Sequence, residues 1–416
     1  MASYFSQFKL WPAPANEGGG IMSTAVVIAS TVVATAALLP LLRRALWPTH
    51  PRVIPSPLST VIPRLSEEET KRLQYRSDAF PGARDVLTPY GSIRVYEWGP
   101  EDGPKVLFVH GISTTCMTLG PLAHAMVKEK GCRVMMFDLF GRGFTDGVGD
   151  LPHDARLYCS QILLALASSP LPWTGNSAFS LVGYSLGGGV CVHFGGSFPH
   201  MVSSLILLAP AGLIRAETFG VITNFVFTTN LFPSRFLAAI TKRRLRKPIA
   251  ANNRGNRNKL PSPAPPIVNT KTKDAIAASL AEAIDPAGNE PVTPLERRVL
   301  GYVQWMVTNH LGFVPAFISC IRDAPLVGQQ AAWRRLGTSR KAGSTAIILG
   351  QSDEIIDPED YEADALPLVG GEEHVHWVAI PGGHDFPMTH ARETLEEIYK
   401  AWECMEAREK GGVLTV

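Results

Sequence analysis

Phe179-Ser180-Leu181-Val182-Gly183-Tyr184-Ser185-Leu186-Gly187-Gly188-Gly189-Val190-Cys191-Val192-His193-Phe194 is the stretch on which the reading of the fold turns. Its first four residues form an apolar run that reads as a buried strand. Gly188 to Phe194 reads as a helix that ends before Pro199. Between them lies Gly-x-Ser-x-Gly, so the chain passes from strand through a sharp turn into helix. The turn strains the serine backbone, and a side chain at either flanking glycine would collide with the strand or the helix. The Ser185 hydroxyl is thereby pushed out above a sheet, at the positive end of a helix. A serine between glycines also matches so short a pattern by chance. The strand before it, and further motifs in the right order, give it weight.

Upstream, Lys105-Val106-Leu107-Phe108-Val109 is a strand that runs into His110-Gly111-Ile112. Acyl chemistry at Ser185 needs main-chain N–H donors for the developing oxyanion. Ile112 on this loop and Leu186 after the serine are placed to supply them. The imidazole of His110 reads as a loop-shaping group. Val134 to Asp138 is the next buried strand and opens into Leu139-Phe140-Gly141-Arg142-Gly143-Phe144-Thr145-Asp146, in which Asp138 and Arg142 read as structural. Downstream, the strand Thr345 to Gly350 ends in Gln351-Ser352-Asp353. A carboxylate there can accept from a histidine Nδ1–H, fix its tautomer and stabilise the imidazolium. Asp353 is the choice, with Glu354, Asp357, Glu359 and Asp360 as near competitors. The last strand, His374 to Ile380, breaks at Pro381-Gly382-Gly383-His384, and a histidine on such a loop can reach the serine. Of eleven histidines most must be bland. His374 and His376 share a strand face, but no third ligand is spaced nearby for a metal, and His390 is expected to start the final helix.

Ser185, Asp353 and His384 occur in the chain order of α/β-hydrolases. With HG, GRG, GYSLGG, GQSD and GGH in place over residues 83 to 405, the chain resembles an α/β-hydrolase of the serine-esterase and lipase type. It also resembles the membrane-anchored monoacylglycerol-lipase branch, through its N-terminal segment and Leu208-Ala209-Pro210-Ala211-Gly212-Leu213. Dehalogenases and epoxide hydrolases of this fold carry an aspartate nucleophile, which Ser185 argues against. The resemblance implies Ser185 as nucleophile, His384 as base, Asp353 as its orienting acid, and no cofactor or metal. Alternating strands and helices independently give an α/β class, a mostly parallel sheet with helices on both faces.

At 416 residues there is room for one large domain plus appendages, and 45% hydrophobic residues suit a globular core. A net charge of +2 predicts no general affinity for nucleic acid. Six cysteines are scattered without metal spacing or a disulfide framework, and no Asn-x-Ser/Thr sequon occurs. After a tail over 1–20, residues 21–42 carry no charge and are long enough for a transmembrane helix. Arg43, Arg44 and Arg52 follow, so the catalytic domain is expected on the cytosolic side. A signal peptide would place its positive charge first. Residues 43–80 read as a linker with a short charged helix, Glu67 to Arg72.

Residues 81–213 read as the first part of the core. It opens with paired strands Arg84 to Pro89 and Ser92 to Trp98, and has helices over Leu119 to Lys130 and Asp154 to Ser168. Residues 214–340 follow the sixth strand and are far too long for a loop. They read as a helical cap, with apolar stretches at Thr223 to Ile240 and Leu295 to Cys320. Phe225 and Trp305 are its large apolar candidates for lining an acyl tunnel. Residues 242–273 hold ten basic residues and no acidic one, and read as disordered. Residues 341–410 complete the core. The expectation is a membrane-anchored serine hydrolase cleaving a small-molecule ester with an apolar acyl chain, its partners being that substrate and membrane lipid. The alternatives are a hydrolase or acyl transferase for a specialised metabolite, amide or thioester, and a non-catalytic membrane scaffold that kept the fold.

Overall fold

The computed structural model describes residues 18–46, 51–175, 178–215, 234–246 and 294–409. The chain divides into two compact units, Met1–Thr49 and His50–Val416. In the first, helix α1 (Gly18–Leu46) exposes Val26, Val27, Ile28, Val32, Val33, Leu38, Leu39 and Leu42. The hydroxyls of Ser30 and Thr31 fold back onto the carbonyls of Val26 and Val27. Among the described residues no helix is long and apolar enough to cross a membrane, so the expected span over 21–42 finds no support here.

The second unit is built on an eight-stranded sheet. Its strands are β2 (Arg84–Thr88), β3 (Gly91–Trp98), β4 (Lys105–Val109), β5 (Arg133–Phe137), β7 (Phe179–Tyr184), β8 (Val202–Leu208), β9 (Thr345–Gly350) and β10 (Val375–Ile380), and their spatial order is β10-β9-β8-β7-β4-β5-β3-β2. β2 and β3 run antiparallel to their neighbours, and every other pairing is parallel. A separate antiparallel pair joins β1 (Val53–Ile54) to β6 (Gly147–Val148). The central strands are buried on both faces, which is why β4, β7 and β9 read as mostly apolar runs. From β4 the chain lays β5 to one side and then β7 and its successors to the other. That reversal opens a crevice at the carboxyl ends of β4 and β7.

Short helices α2 (Pro57–Thr60) and α3 (Glu67–Lys71) precede the sheet, the latter started by a Ser66–Glu69 capping box. The helices α4 (Gly120–Lys130) and α13 (Ala391–Glu409) pack together against the sheet, as do α5 (Ala155–Ala167), α6 (Leu186–Ser197) and α10 (Gln330–Ser339) as a second group. The carboxylate of Asp154 caps α5 by accepting from the amides of Arg156 and Leu157. Between β8 and β9, α7 (Ser234–Arg246), α8 (Pro294–Asn309) and α9 (Phe313–Asp323) pack on one another. Short α11 (Pro358–Ala365) and α12 (Phe386–Thr389) follow β9 and β10.

The structure differs from the sequence reading in three places. The apolar stretch from Leu295 to Cys320 is two helices. It breaks where His310 Nδ1 accepts from the Gly312 amide, at 3.1 Å, and Nε2 lies 3.0 Å from the Thr145 carbonyl. The expected cap range also contains α10, which packs on α6 as a core helix. Within the expected linker, Val53–Ile54 pair with β6, and Tyr75 is fully buried with its hydroxyl 3.1 Å from the Asp138 carboxylate. Residues 242–246 of the basic segment, expected to be disordered, are the end of helix α7, while Phe225 and residues 247–273 lie outside the described residues.

Candidate active site

The turn after β7 places Ser185 at φ 54° and ψ −120°, a region that side-chain-bearing residues rarely occupy. Three main-chain hydrogen bonds hold it there. The Ser185 amide donates to the Leu208 carbonyl at 3.0 Å, and its carbonyl accepts from Gly189 at 3.1 Å and Ala211 at 2.9 Å. The flanking glycines are steric necessities. A Cβ at Gly187 would lie 2.2 Å from the Val109 carbonyl oxygen, and one at Gly183 would lie 2.6 Å from Cys191 Sγ.

His384 and Asp353 come from the loops after β10 and β9. These loops are tied to each other: Gln351 N donates to Ile380 O at 2.8 Å, and Ser352 N to Gly382 O at 2.9 Å. The result is a continuous line of hydrogen bonds. His384 Nε2 lies 3.0 Å from Ser185 Oγ, and its Nδ1 lies 2.7 Å from Asp353 Oδ2. A carboxylate only accepts, so Nδ1 carries the proton and Nε2 is left to accept from the serine. The second oxygen of Asp353 accepts from the amides of Ile355 and Ile356, both at 2.8 Å. Ser185, His384 and Asp353 are 7, 9 and 5% exposed.

Of the competing carboxylates, Asp357 caps α11 by accepting from Glu359 and Asp360 amides, and it is Asp353 that reaches the histidine. Sequence reasoning missed two supports. Tyr184 donates its hydroxyl to the His384 carbonyl at 3.0 Å, with the two rings 5.4 Å apart. Its place inside the serine motif was the available signal. The other is Asp385, whose carboxyl is pushed up to about 6 by burial and by a hydrogen bond with Glu296 of α8.

The loop after β4 lies beside the serine turn because Val109 pairs with Gly183. Leu186 is the first residue of α6, so its N–H has no helical acceptor. Ile112 is fixed through its neighbours. His110 Nε2 accepts from the Leu139 amide at 2.9 Å, so Nδ1 is the protonated nitrogen and donates to the Gly111 carbonyl at 2.9 Å. Burial, opposed by that hydrogen bond and aided by the nearby Arg142 cation, pulls the His110 pKa down to about 3, so the ring stays neutral. Asp138 accepts from Tyr75, Cys116 and Phe144, and burial pushes its carboxyl up to about 6. Elsewhere, His376 Nε2 is 3.3 Å from Glu397, and His390 accepts at its carbonyl from Thr394 at the start of α13. Among the described residues no group of three His, Cys, Asp or Glu is placed to hold a metal ion.

Comparison with known proteins adds an independent line. The model of the alpha/beta hydrolase family matches residues 106–397, more than half of the chain. A serine hydrolase-like protein of Danio rerio is 29% identical over 137 residues, 33% of this chain and 40% of that protein. One of Homo sapiens is 31% identical over 145 residues, 34% of this chain and 68% of that protein. The match thus spans well under half of the Danio rerio relative. Among solved structures, a membrane phospholipase A described as a novel bacterial virulence factor superposes with a TM-score of 0.55 at 15% identity, covering 93% of this chain and 97% of that one. At that identity the likeness speaks to the fold alone.

Proposed function

The chain belongs to the alpha/beta hydrolase family, and from that premise we propose that it is a serine hydrolase that cleaves a carboxylic ester with an apolar acyl chain. The observation that supports this reading is the hydrogen-bonded line Ser185–His384–Asp353 at 3.0 and 2.7 Å. In the proposed reaction His384 Nε2 takes the serine proton as Oγ attacks the ester carbonyl. Asp353 holds the ring and stabilises the imidazolium. The amides of Ile112 and Leu186 receive the negative charge on the carbonyl oxygen. The imidazolium protonates the departing alcohol, an acyl-enzyme remains, and water activated by the same histidine releases the acid.

The apolar acyl preference is drawn from α8 and α9, which bring Val303, Met306, Val307, Phe313 and Phe317 into the core. Trp305, a candidate tunnel wall from sequence, stacks on Tyr302 at 5.1 Å. A second reading has its own support. The hydroxyls of Ser113 and Thr114, next to Ile112, are buried without a hydrogen-bond partner among the described residues. Orphaned hydroxyls of this kind suit a substrate that brings a polar group close to the reacting carbonyl.

Fluorophosphonate labelling followed by a panel of p-nitrophenyl acyl esters separates these readings. Labelling at Ser185 with kcat/KM rising along the chain-length series supports the apolar ester. Each buried methylene then adds up to roughly 0.8 kcal/mol. Activity greatest on acetyl or hydroxyacyl esters supports the polar substrate. Absence of labelling defeats both and leaves a non-catalytic scaffold. Attachment to a membrane through residues 21–42, with the hydrolase domain on the cytosolic side, is a further part of the proposal, motivated by the uncharged run before Arg43 and Arg44.

A further inference from the structure

We infer that Arg142 is a positioning residue that locks the oxyanion loop to the cap helix α9, so that the cap's seating is felt at the Ile112 donor. The inference rests on the serine hydrolase reading above for its kinetic consequence. Arg142 is 0% exposed, and all three guanidinium nitrogens are engaged. Nε donates to the Ile112 carbonyl at 2.9 Å. Nη1 donates to the Phe140 carbonyl at 2.8 Å and the Tyr158 hydroxyl at 3.0 Å, and Nη2 donates to Cys320 Sγ at 3.1 Å. Tyr158 Oη and Cys320 Sγ share a further hydrogen bond at 3.0 Å. One rigid, planar group therefore joins the loop after β4, the loop after β5, helix α5 and cap helix α9.

A buried cation placed for stability alone is ordinarily matched by a carboxylate. Among the described residues this one makes its hydrogen bonds to two carbonyls, a hydroxyl and a sulfur. The arrangement is costly as an anchor and well suited to fixing direction, since a guanidinium presents its donors in a fixed fork. Ile112 shows what is directed. The peptide preceding it is planar and trans, so its N–H points opposite to the Gly111 carbonyl. That carbonyl is held by His110. The peptide following it is held at its carbonyl by Arg142. Both planes that flank Ile112 are thus clamped, and the Arg142 clamp is the one that reaches the cap.

The test compares Arg142→Lys, which keeps the charge but loses the fork, with Cys320→Ala and Cys320→Ser, which remove and retain an acceptor on α9. Two readouts are taken: kcat and KM on the p-nitrophenyl ester the wild type prefers, and amide hydrogen exchange of residues 110–116. Arg142→Lys should lower kcat by about 10- to 100-fold with KM within about twofold, because only the transition state needs the donor aimed. Cys320→Ala should lower kcat about 3- to 10-fold and Cys320→Ser should stay near wild type. Exchange over 110–116 should quicken in Arg142→Lys and Cys320→Ala while β7, β8 and β9 stay protected. The inference is overturned if kcat of Arg142→Lys stays within about twofold of wild type, or if its loss comes with equal loss of protection across those strands. Should Arg142→Lys fail to fold, identical kcat and exchange in the two Cys320 variants overturns it. A wild type that neither labels nor turns over an ester defeats the hydrolase reading instead. Exchange over 110–116 still decides the clamp, and unchanged exchange in Cys320→Ala rejects it.

Discussion

Ser185 holds a backbone conformation, φ 54° and ψ −120°, that costs a side-chain-bearing residue about 1–3 kcal/mol. Glycine pays no such penalty, so Ser185→Gly should unfold at a higher temperature than Ser185→Ala by the equivalent of about 1 kcal/mol, both being inactive. Equal melting temperatures would mean the turn is relaxed. At Asp353, replacement by Asn should cut kcat by orders of magnitude, because the amide favours the wrong imidazole tautomer. Asp357→Asn should touch only the cap of α11, at a cost of at most about 1 kcal/mol in stability and little in rate. Reversed results would move the acid to Asp357. His153 gives a prediction in pH. Burial, helped by the Arg142 cation, depresses its pKa to about 3, and both ring nitrogens lack partners among the described residues. A depressed pKa stabilises the fold above the unfolded value near 6.5, and that contribution is lost as pH falls toward 3. His153→Leu should therefore gain on the wild type by roughly 1.4 kcal/mol per pH unit below 6.5. A stability difference that does not change from pH 7 to pH 4.5 would refute the assignment.

At the scale of elements, the close approach of β4 and α6 depends on Gly187. Gly187→Ala would drive a methyl into the Val109 carbonyl, and should cost about 1–3 kcal/mol or more, measured by denaturant unfolding, and remove activity by shifting the serine. The elements that build the site were legible because their physics is local. β4, β7 and β9 are mostly apolar runs, and the serine turn needs its glycines within a few residues. What was not legible depends on partners far along the chain. The break between α8 and α9 falls in a stretch apolar on both sides and is set by His310 reaching Thr145. The assignment of α10 to the core is decided by α6, and Tyr75 is drawn in by Asp138. The choice of Asp353 among five carboxylates needed the positions of loops that only the folded sheet brings together. The tie from Arg142 to α9 was not legible because its sulfur partner lies 178 residues away.

For the whole molecule, the division at Thr49 makes a clean expectation. A chain lacking residues 1–49 should keep the melting temperature and any esterase activity of the full protein. In cells the full chain should need detergent for extraction and the shortened one should not. In sealed microsomes the C-terminus of the full chain should be digested by added protease. A protected C-terminus would reverse the proposed orientation, and a full chain extracted by salt alone would remove the anchor. The span between Ser185 and His384 carries one more consequence, in time. The two residues that touch at 3.0 Å are 199 positions apart. During synthesis at about 5–20 residues per second, the serine emerges roughly 10–40 s before the histidine exists. Throughout that interval the nascent chain carries a serine hydroxyl with no His384 to take its proton. On the proposed triad the chain is made inert, and it should become reactive only when the loop after its last strand docks.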